Sequence, residues 1–103
     1  MLIVHGWVFE DNVVQFLQLV SRYIRYPYDD LDEVAVTGAL DRTDDEFVDG
    51  WFSYPLPGTP PLTVSLARAV GGSQVSVQVE GDIDPVLRAR LETLFDLLCR
   101  DRR

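Results

Sequence analysis

The sequence lacks lysine altogether, contains one histidine and one cysteine, and has no long apolar run. The lone cysteine, Cys99, cannot form an internal disulfide, and the N-terminus lacks the positively charged region and cleavage site of a signal peptide. We therefore expect a cytoplasmic protein. The longest apolar stretch, Leu2–Phe9, is much shorter than the roughly 20 residues that cross a bilayer, so we expect no membrane-spanning segment.

Signatures of catalysis are equally scarce. Nucleophilic catalysis needs a base beside the nucleophile. The single histidine, His5, lies in an apolar stretch, and Cys99 flanks the apolar stripe of a predicted helix, so we expect neither to be catalytic. No GxSxG motif, glycine-rich phosphate loop or CxxC pair occurs. The sequence therefore predicts a protein that is not an enzyme and needs no cofactor.

The formal net charge of −8 is concentrated in the middle of the chain. Residues 27–84 carry twelve acids and two arginines, whereas residues 1–26 carry two of each and residues 85–103 carry three acids and five arginines. Such a charge repels the phosphates of nucleic acids and of anionic membranes, so we expect neither as a partner. A basic protein is the favoured partner.

Acidic residues crowd one stretch, "DRTDDEFVD", which invites comparison with a calcium loop. A calcium loop needs acid or amide side chains at positions one, three and five, glycine at six and glutamate at twelve. Counting from Asp41 places Thr43 at position three, Glu46 at six and Phe52 at twelve. The pattern fails, so no metal site is predicted.

Two segments have the apolar periodicity of helices. In residues 12–26 polar side chains recur every three or four positions, with Asp11 as the expected N-cap and Pro27 closing the helix. The second helix is predicted to begin at Pro85 with Asp84 as its N-cap. Its apolar stripe consists of Leu87, Leu91, Leu94 and Leu98.

Alternation of apolar and polar residues predicts strands between the helices. Residues 62–67 and 75–80 alternate, and a two-residue turn at Gly71 and Gly72 would place both apolar rows on one face. The expected pairs are Leu66 with Val77 and Val64 with Val79.

Upstream, the pattern predicts a second hairpin and a further strand. Residues 34–40 and 47–54 form the expected hairpin around a turn at 41–46, and Leu2–Phe9 is the further strand.

The stretch "YPLPGTPP" between residues 54 and 61 allows two interpretations. Pro57-Gly58 is a common turn pair, and prolines cannot donate to a strand ladder, so a connector between strands is favoured. The alternative is a PxxP ligand for a polyproline-binding groove. A loop tethered between two strands is poorly placed to lie extended, which argues against the ligand.

Together these patterns predict an α+β fold in one domain, residues 1–103. The expected architecture is a two-layer sandwich, an antiparallel sheet of four to five strands with two helices on one face, in the order (β)αββββα. Apolar residues occupy more of the helix at 12–26 than one sheet face could cover, so we also expect a homodimer.

The acidic middle of the chain leads to the first functional hypothesis. Nine acids against one arginine lie between Asp29 and Asp49, interleaved with aromatic residues. This is typical of a small protein that binds and neutralises a basic protein, as an immunity protein, antitoxin or nucleic-acid mimic does. The expected partner-binding residues are Tyr28, Asp29, Asp30, Asp32, Glu33, Asp41, Asp44, Asp45, Glu46, Asp49 and Trp51.

A second hypothesis is a small-molecule-binding or accessory-subunit domain. It requires an apolar cleft lined by aromatic side chains, and the candidates are Trp7, Trp51, Phe52 and Tyr54. A third interpretation is that the acids only keep a small protein in solution.

Overall fold

The segments with alternating apolar residues form one sheet, and a single layer of helices packs against it. In a computed structural model, which describes residues 2–46, 51–68 and 74–98, the chain forms four strands, three α-helices and one short 3-10 turn. The elements are β1 Leu2–Phe9, the 3-10 turn Glu10–Asn12, α1 Val13–Tyr23, α2 Asp30–Glu46, β2 Trp51–Leu56, β3 Leu62–Arg68, β4 Gln74–Gly81 and α3 Pro85–Leu98.

The sheet is antiparallel throughout, in the order β1-β4-β3-β2. Val64 lies opposite Val79 and Leu66 opposite Val77, which confirms the predicted register. The predicted turn at Gly71 and Gly72 lies outside the described residues. The N-terminal strand is also confirmed, since β1 pairs with β4 along its full length. The α+β fold class with an antiparallel sheet is therefore correct.

The two faces of the sheet differ in what covers them. The face beneath the helices is apolar and supplies most of the sheet's share of the core: Val4, Val8, Leu56, Leu62, Val64, Leu66, Val75, Val77 and Val79. The other face, which we call the open face, carries the alternate residues of each strand: Ile3, His5, Trp7, Phe9, Trp51, Ser53, Pro55, Thr63, Ser65, Ala67, Gln74, Ser76, Gln78 and Glu80.

The predicted strand at 34–40 is wrong, because these residues lie inside helix α2. Burial in α2 follows a helical spacing, with Asp32, Val36 and Ala39 buried. Val34, which a strand would have placed on the same face as Val36, is 69 % exposed. The expected turn at 41–46 is likewise the end of α2, so the described residues form three helices where two were expected.

Helix α1 packs its apolar side against the other helices and the sheet, while Gln15, Gln18 and Arg22 are exposed. Val13, Phe16, Leu17 and Val20 are all buried, and Phe16 stacks on Phe95 of α3 at 5.0 Å between ring centroids. Most of the apolar surplus that motivated the homodimer is therefore covered within one chain, although Val14, Leu19 and Tyr23 are only half-buried, so that argument is weakened. The homodimer itself stays a prediction.

The start of α1 differs from the prediction, whereas the start of α3 agrees with it. Asn12 rather than Asp11 precedes α1, and its Nδ2 donates to the carbonyl of Leu98 at 2.9 Å. At α3 the main-chain N–H of Leu87 donates to Asp84 Oδ1 at 2.7 Å, with Pro85 as the first helical residue.

The proline-rich segment is a connector only in part. Residues 57–61 link β2 to β3, as predicted, and pack on the end of α1, whereas residues 54–56 belong to strand β2. Pro55 is tolerated in the ladder because β2 is an edge strand. The N–H of Thr59 donates to the carbonyl of Ile24 at 2.7 Å. A Cβ at Gly58 would lie only 2.3 Å from that same carbonyl, so glycine permits the close approach.

The helices were also compared with the requirements for a membrane-spanning segment. Within the described ranges, no helix combines the length and apolar character needed to cross a bilayer.

Candidate functional site

Helix α2 carries most of the acids that the sequence marked for partner binding. Asp29 precedes the helix, Asp30, Asp32 and Glu33 lie in its first turn, and the remaining acids of α2 are in its C-terminal third: Asp41, Asp44, Asp45 and Glu46. Asp49 lies outside the described residues. The acids are therefore arranged along one helix rather than around a loop.

A reciprocal pair of aspartates begins this helix. Asp29 Oδ1 accepts the N–H groups of Leu31 at 3.0 Å and of Asp32 at 3.2 Å, while Asp32 Oδ2 accepts the N–H of Asp29 at 3.0 Å. This is a capping box built from two aspartates, and it satisfies N–H groups that the first turn leaves without helical partners. Negative charge at this end also interacts favourably with the helix dipole.

Asp32 joins this cap to the rest of the molecule. Its side chain is 7 % exposed, and Oδ1 accepts the hydroxyl of Tyr26 at 2.7 Å and also that of Tyr54. We call Asp29, Asp32, Tyr26 and Tyr54 the Asp32 clasp. It ties the segment after α1, the start of α2 and strand β2 to one carboxylate, so Asp32 is an internal anchor rather than an exposed acid.

The chain reaches this geometry through the end of α1. The N–H of Tyr26 donates to the carbonyl of Ser21 at 2.8 Å and that of Arg25 to the carbonyl of Arg22 at 3.3 Å, which is the hydrogen-bond pattern of a Schellman motif. Arg25 takes the left-handed conformation, with φ 58°, where glycine is usual. This reversal turns Tyr26 back toward α2.

At neutral pH the carboxyl group of Asp32 is ionised, and the hydroxyls of Tyr26 and Tyr54 are protonated. Burial raises the pKa of Asp32, but the hydrogen bonds from Tyr54, the Asp29 N–H and Tyr26 outweigh it and hold that pKa below its usual value. The hydrogen bond to Asp32, then burial, raises the pKa of Tyr26 to about 12. Burial and the same carboxylate raise the pKa of Tyr54.

Tyr28 lies beside the clasp and faces the core. Its ring packs against the hydrophobic core, and its hydroxyl is buried without a hydrogen-bond partner among the described residues. Burial, followed by the charge of Asp32, raises the pKa of Tyr28 to about 12. Tyr28 was predicted to contact a partner, but its ring is only partly accessible.

We expect Tyr26, Tyr28 and Tyr54 to ionise at higher pH than free tyrosine. Because the folded pKa of Tyr26 is raised from 10.0 to about 12, its contribution to stability is complete below pH 10 and is lost as the pH rises through 12. Ultraviolet titration of tyrosinate, followed alongside circular dichroism, measures this. In Asp32→Asn, Tyr26 should ionise at lower pH, and a wild type whose tyrosines all ionise together near pH 10 would contradict the clasp.

Over the first two turns of α2, the outer surface carries one apolar stripe and one acidic stripe. On one side lie the apolar residues Leu31, which is 79 % exposed, and Val34, with Ala35 also exposed. On the other side lie Asp30 and Glu33, both exposed. Helical geometry places these two stripes next to each other, on the side of α2 opposite buried Asp32 and Val36.

The four aromatic residues expected to line a cleft are divided between the two faces of the sheet and do not line one cleft. Trp7 and Trp51 are on the open face, whereas Phe52 and Tyr54 are on the helix-covered face, where their rings lie 5.9 Å apart. The described residues also contain no group of three or more His, Cys, Asp or Glu side chains that could hold a metal ion.

Comparison with known proteins gives no relative. No family model, no curated protein and no solved structure matches the sequence or the fold. The function is therefore inferred from the geometry of this chain.

The sequence analysis did not identify Leu31, Val34 and Tyr26 as parts of the site. The D-x-x-D spacing of Asp29 and Asp32 is the signal that could have placed a helix start there.

Proposed function

We propose that the protein is a non-enzymatic binding protein whose helix α2 recognises a basic segment of another protein in the reducing cytoplasm. The observation that carries this proposal is the exposure of Leu31 and Val34 beside Asp30 and Glu33. An apolar stripe next to an acidic one fits a partner that presents apolar anchors flanked by arginine or lysine.

The charge of the region supports a basic partner. Between Asp29 and Asp49 the sequence has nine acids and one arginine. Such a concentration of one sign accelerates the approach of an oppositely charged molecule, and the acceleration weakens as salt is added. The same surface repels nucleic acid and other acidic proteins.

The apolar stripe supports specific contact rather than charge alone. Side chains as exposed as Leu31 and Val34 gain free energy when a partner covers them, on the order of 1.5–3 kcal/mol for full burial of each. A role limited to keeping the protein in solution accounts for the acids but not for apolar residues exposed among them.

The Asp32 clasp supports a surface that is ordered before binding. Tyr26 and Tyr54 fix the first turn of α2 through Asp32, so the helix does not have to fold when a partner arrives. Preorganisation of this kind lowers the entropic cost of association. Asp32 thus has a positioning role, while Asp30 and Glu33 make the expected contacts.

The test compares matched variants of the tagged protein in low-salt capture followed by mass spectrometry. Leu31→Ser/Val34→Ser removes the apolar stripe, and Asp30→Asn/Glu33→Gln/Asp44→Asn/Asp45→Asn removes charge. Glu80→Gln, an acid on the open face, is the control. We expect a basic partner that wild type and Glu80→Gln capture and that both α2 variants lose.

Kinetics on the recovered partner then separate the two contributions. The charge variant should associate more slowly and with a flatter salt dependence, while the apolar variant should mainly dissociate faster. Stability should change by only about half a kcal/mol in the apolar variant, since Leu31 and Val34 are exposed. Capture of no basic protein, or equal capture by all variants, would refute the proposal.

A further inference from the structure

The open face of the sheet is nearly free of charge, although the protein has a net charge of −8. Among the described strand positions on this face, Glu80 is the single carboxylate and no arginine occurs. The three helices pack on the opposite face, where they share one hydrophobic core with the strands. The open face is thus a distinct surface from the acidic helix α2.

One row of residues across this face has large side chains at both ends and small ones between them. Trp7 pairs with Ser76, Ser76 with Ala67, and Ala67 with Trp51. Trp7 and Trp51 therefore stand on the two edge strands, about 14 Å apart at three strand spacings. Phe9 packs edge-to-face on Trp7 at 5.3 Å and extends that wall. These residue sizes indicate a trough with aromatic walls and a floor of small residues.

The proline-rich connector forms a hollow at one end of the sheet. On the open face, Pro55, Thr63 and Glu80 lie four residues along the strands from the tryptophan row, a distance of about 13 Å. These three residues line a concavity of about 340 Å³ together with Pro57, Pro61, Leu62 and Gly81. Because Leu62 and Gly81 belong to the helix-covered face, the concavity lies at the end of the sheet, where proline rings border the open face.

We propose that the open face binds a neutral oligosaccharide. The tryptophan rings offer flat apolar surfaces on which the C–H faces of sugar rings stack, and the floor offers neutral hydroxyl and amide groups for sugar hydroxyls. Ser53 and Ser65 already place their Oγ atoms 3.0 Å apart there, and Gln78 lies in the same row. Glu80 and the overall charge disfavour an anionic ligand.

A second copy of the chain fits this shape poorly. When two such faces pack with their strands aligned about a two-fold axis through the centre of the tryptophan row, edge strands lie over edge strands. Trp7 and Trp51 would then meet tryptophans, and the two floors of small residues would face each other across a gap. A linear ligand, by contrast, fills the trough between its walls.

Intrinsic fluorescence tests the proposal directly, because the only two tryptophans of the chain, Trp7 and Trp51, are both on the open face. Cello- and chito-oligosaccharides are the neutral probes, and oligogalacturonate is the anionic comparison. We expect a saturable change with a neutral probe and none with the anionic one. The α2 charge variant should bind the sugar normally, so this result is independent of the proposed function.

Variants then locate the site. Trp7→Ala and Trp51→Ala should each weaken binding, followed by calorimetry, at least about tenfold, which corresponds to about 1.4 kcal/mol. Ala67→Tyr fills the floor without removing any contact, so it should abolish binding with an unchanged thermal transition. Leu97→Ala, at an exposed position on α3, is the control that should bind like wild type.

Four outcomes would overturn the proposal. The first is no response to either neutral probe at millimolar concentration. The second is a fluorescence shift that follows protein concentration alone, which would assign the face to self-association. The third is tight binding that Ala67→Tyr leaves intact, which would place the ligand on another surface. The fourth is equal binding of an extended neutral peptide, which would assign the ligand to another class.

Discussion

Replacing Asp32 with alanine should lower the free energy of unfolding by at least about 3 kcal/mol, because hydrogen bonds to a charged group contribute about 1.5–3 kcal/mol each and several are lost together. The substitution leaves the hydroxyls of Tyr26 and Tyr54 and the N–H of Asp29 without their acceptor. It also removes half of the cap that begins α2. Urea unfolding followed by circular dichroism measures the loss.

The pH dependence identifies the carboxylate as the cause. Because the fold lowers the pKa of Asp32 below 3.8, its ionised form stabilises the folded state above that pH, and the contribution disappears as the pH falls through the folded pKa. The difference between wild type and Asp32→Ala should therefore shrink in acid. Asp30→Asn, two residues earlier and exposed, is the matched control and should change stability by about half a kcal/mol. Equal effects at the two positions would rule out the clasp.

Removing the tyrosine hydroxyls as well should reduce the penalty. Tyr26→Phe and Tyr54→Phe each delete a donor, so combining them with Asp32→Ala removes both hydroxyls that would otherwise lose their acceptor. We expect the triple variant to be less destabilised than the sum of the three single changes. Such a shortfall is the coupling expected of residues that share one network, and strict additivity would argue against a shared carboxylate.

The parts of the fold that were predictable depend on local signals that agree with each other. The register of β3 and β4 follows from two alternating segments, and the start of α3 follows from Asp84 and Pro85. At these places the apolar pattern, the cap and the turn chemistry indicate the same structure. No distant contact was needed to choose between alternatives.

Helix α2 was not predictable by the same means. Val34 and Val36 alternate with small or polar neighbours, which is typical of a strand. Two features favour a helix over a strand here: the capping box at Asp29 and Asp32, and the burial of Val36 and Ala39. The burial depends on tertiary packing. Local propensity was therefore overridden by contacts that the sequence pattern does not contain.

The candidate site was predictable in composition but not in arrangement. The acids could be named from charge alone, yet their placement on one helix depends on where α2 begins. Tyr54 donates to Asp32 across 22 residues of sequence, and no periodicity links positions so far apart. Asp32 consequently stood among the exposed acids in the prediction, although it is buried in the fold.

Substituting Gly6 with alanine should destabilise the protein by about 1–3 kcal/mol, the usual cost of overpacking a core. Gly6 lies on the helix-covered face of β1, where a Cβ would be 2.6 Å from two ring carbons of Phe95. That ring cannot retreat easily, since it is buried and stacked on Phe16, and the backbone of Gly6 is held opposite Val77. Strand propensity alone predicts the opposite sign, because glycine weakens a strand.

The same substitution on α2 should act in the other direction. A Cβ at Gly38 would meet nothing within 4 Å, so Gly38→Ala should gain about 0.5–1 kcal/mol from helix propensity alone. Urea denaturation of the two alanine variants gives both values. Phe95→Leu should relieve much of the penalty at Gly6 and none at Gly38, because only Gly6 lies beneath that ring. A neutral or stabilising effect of Gly6→Ala would contradict the close contact between the Phe95 ring of α3 and strand β1.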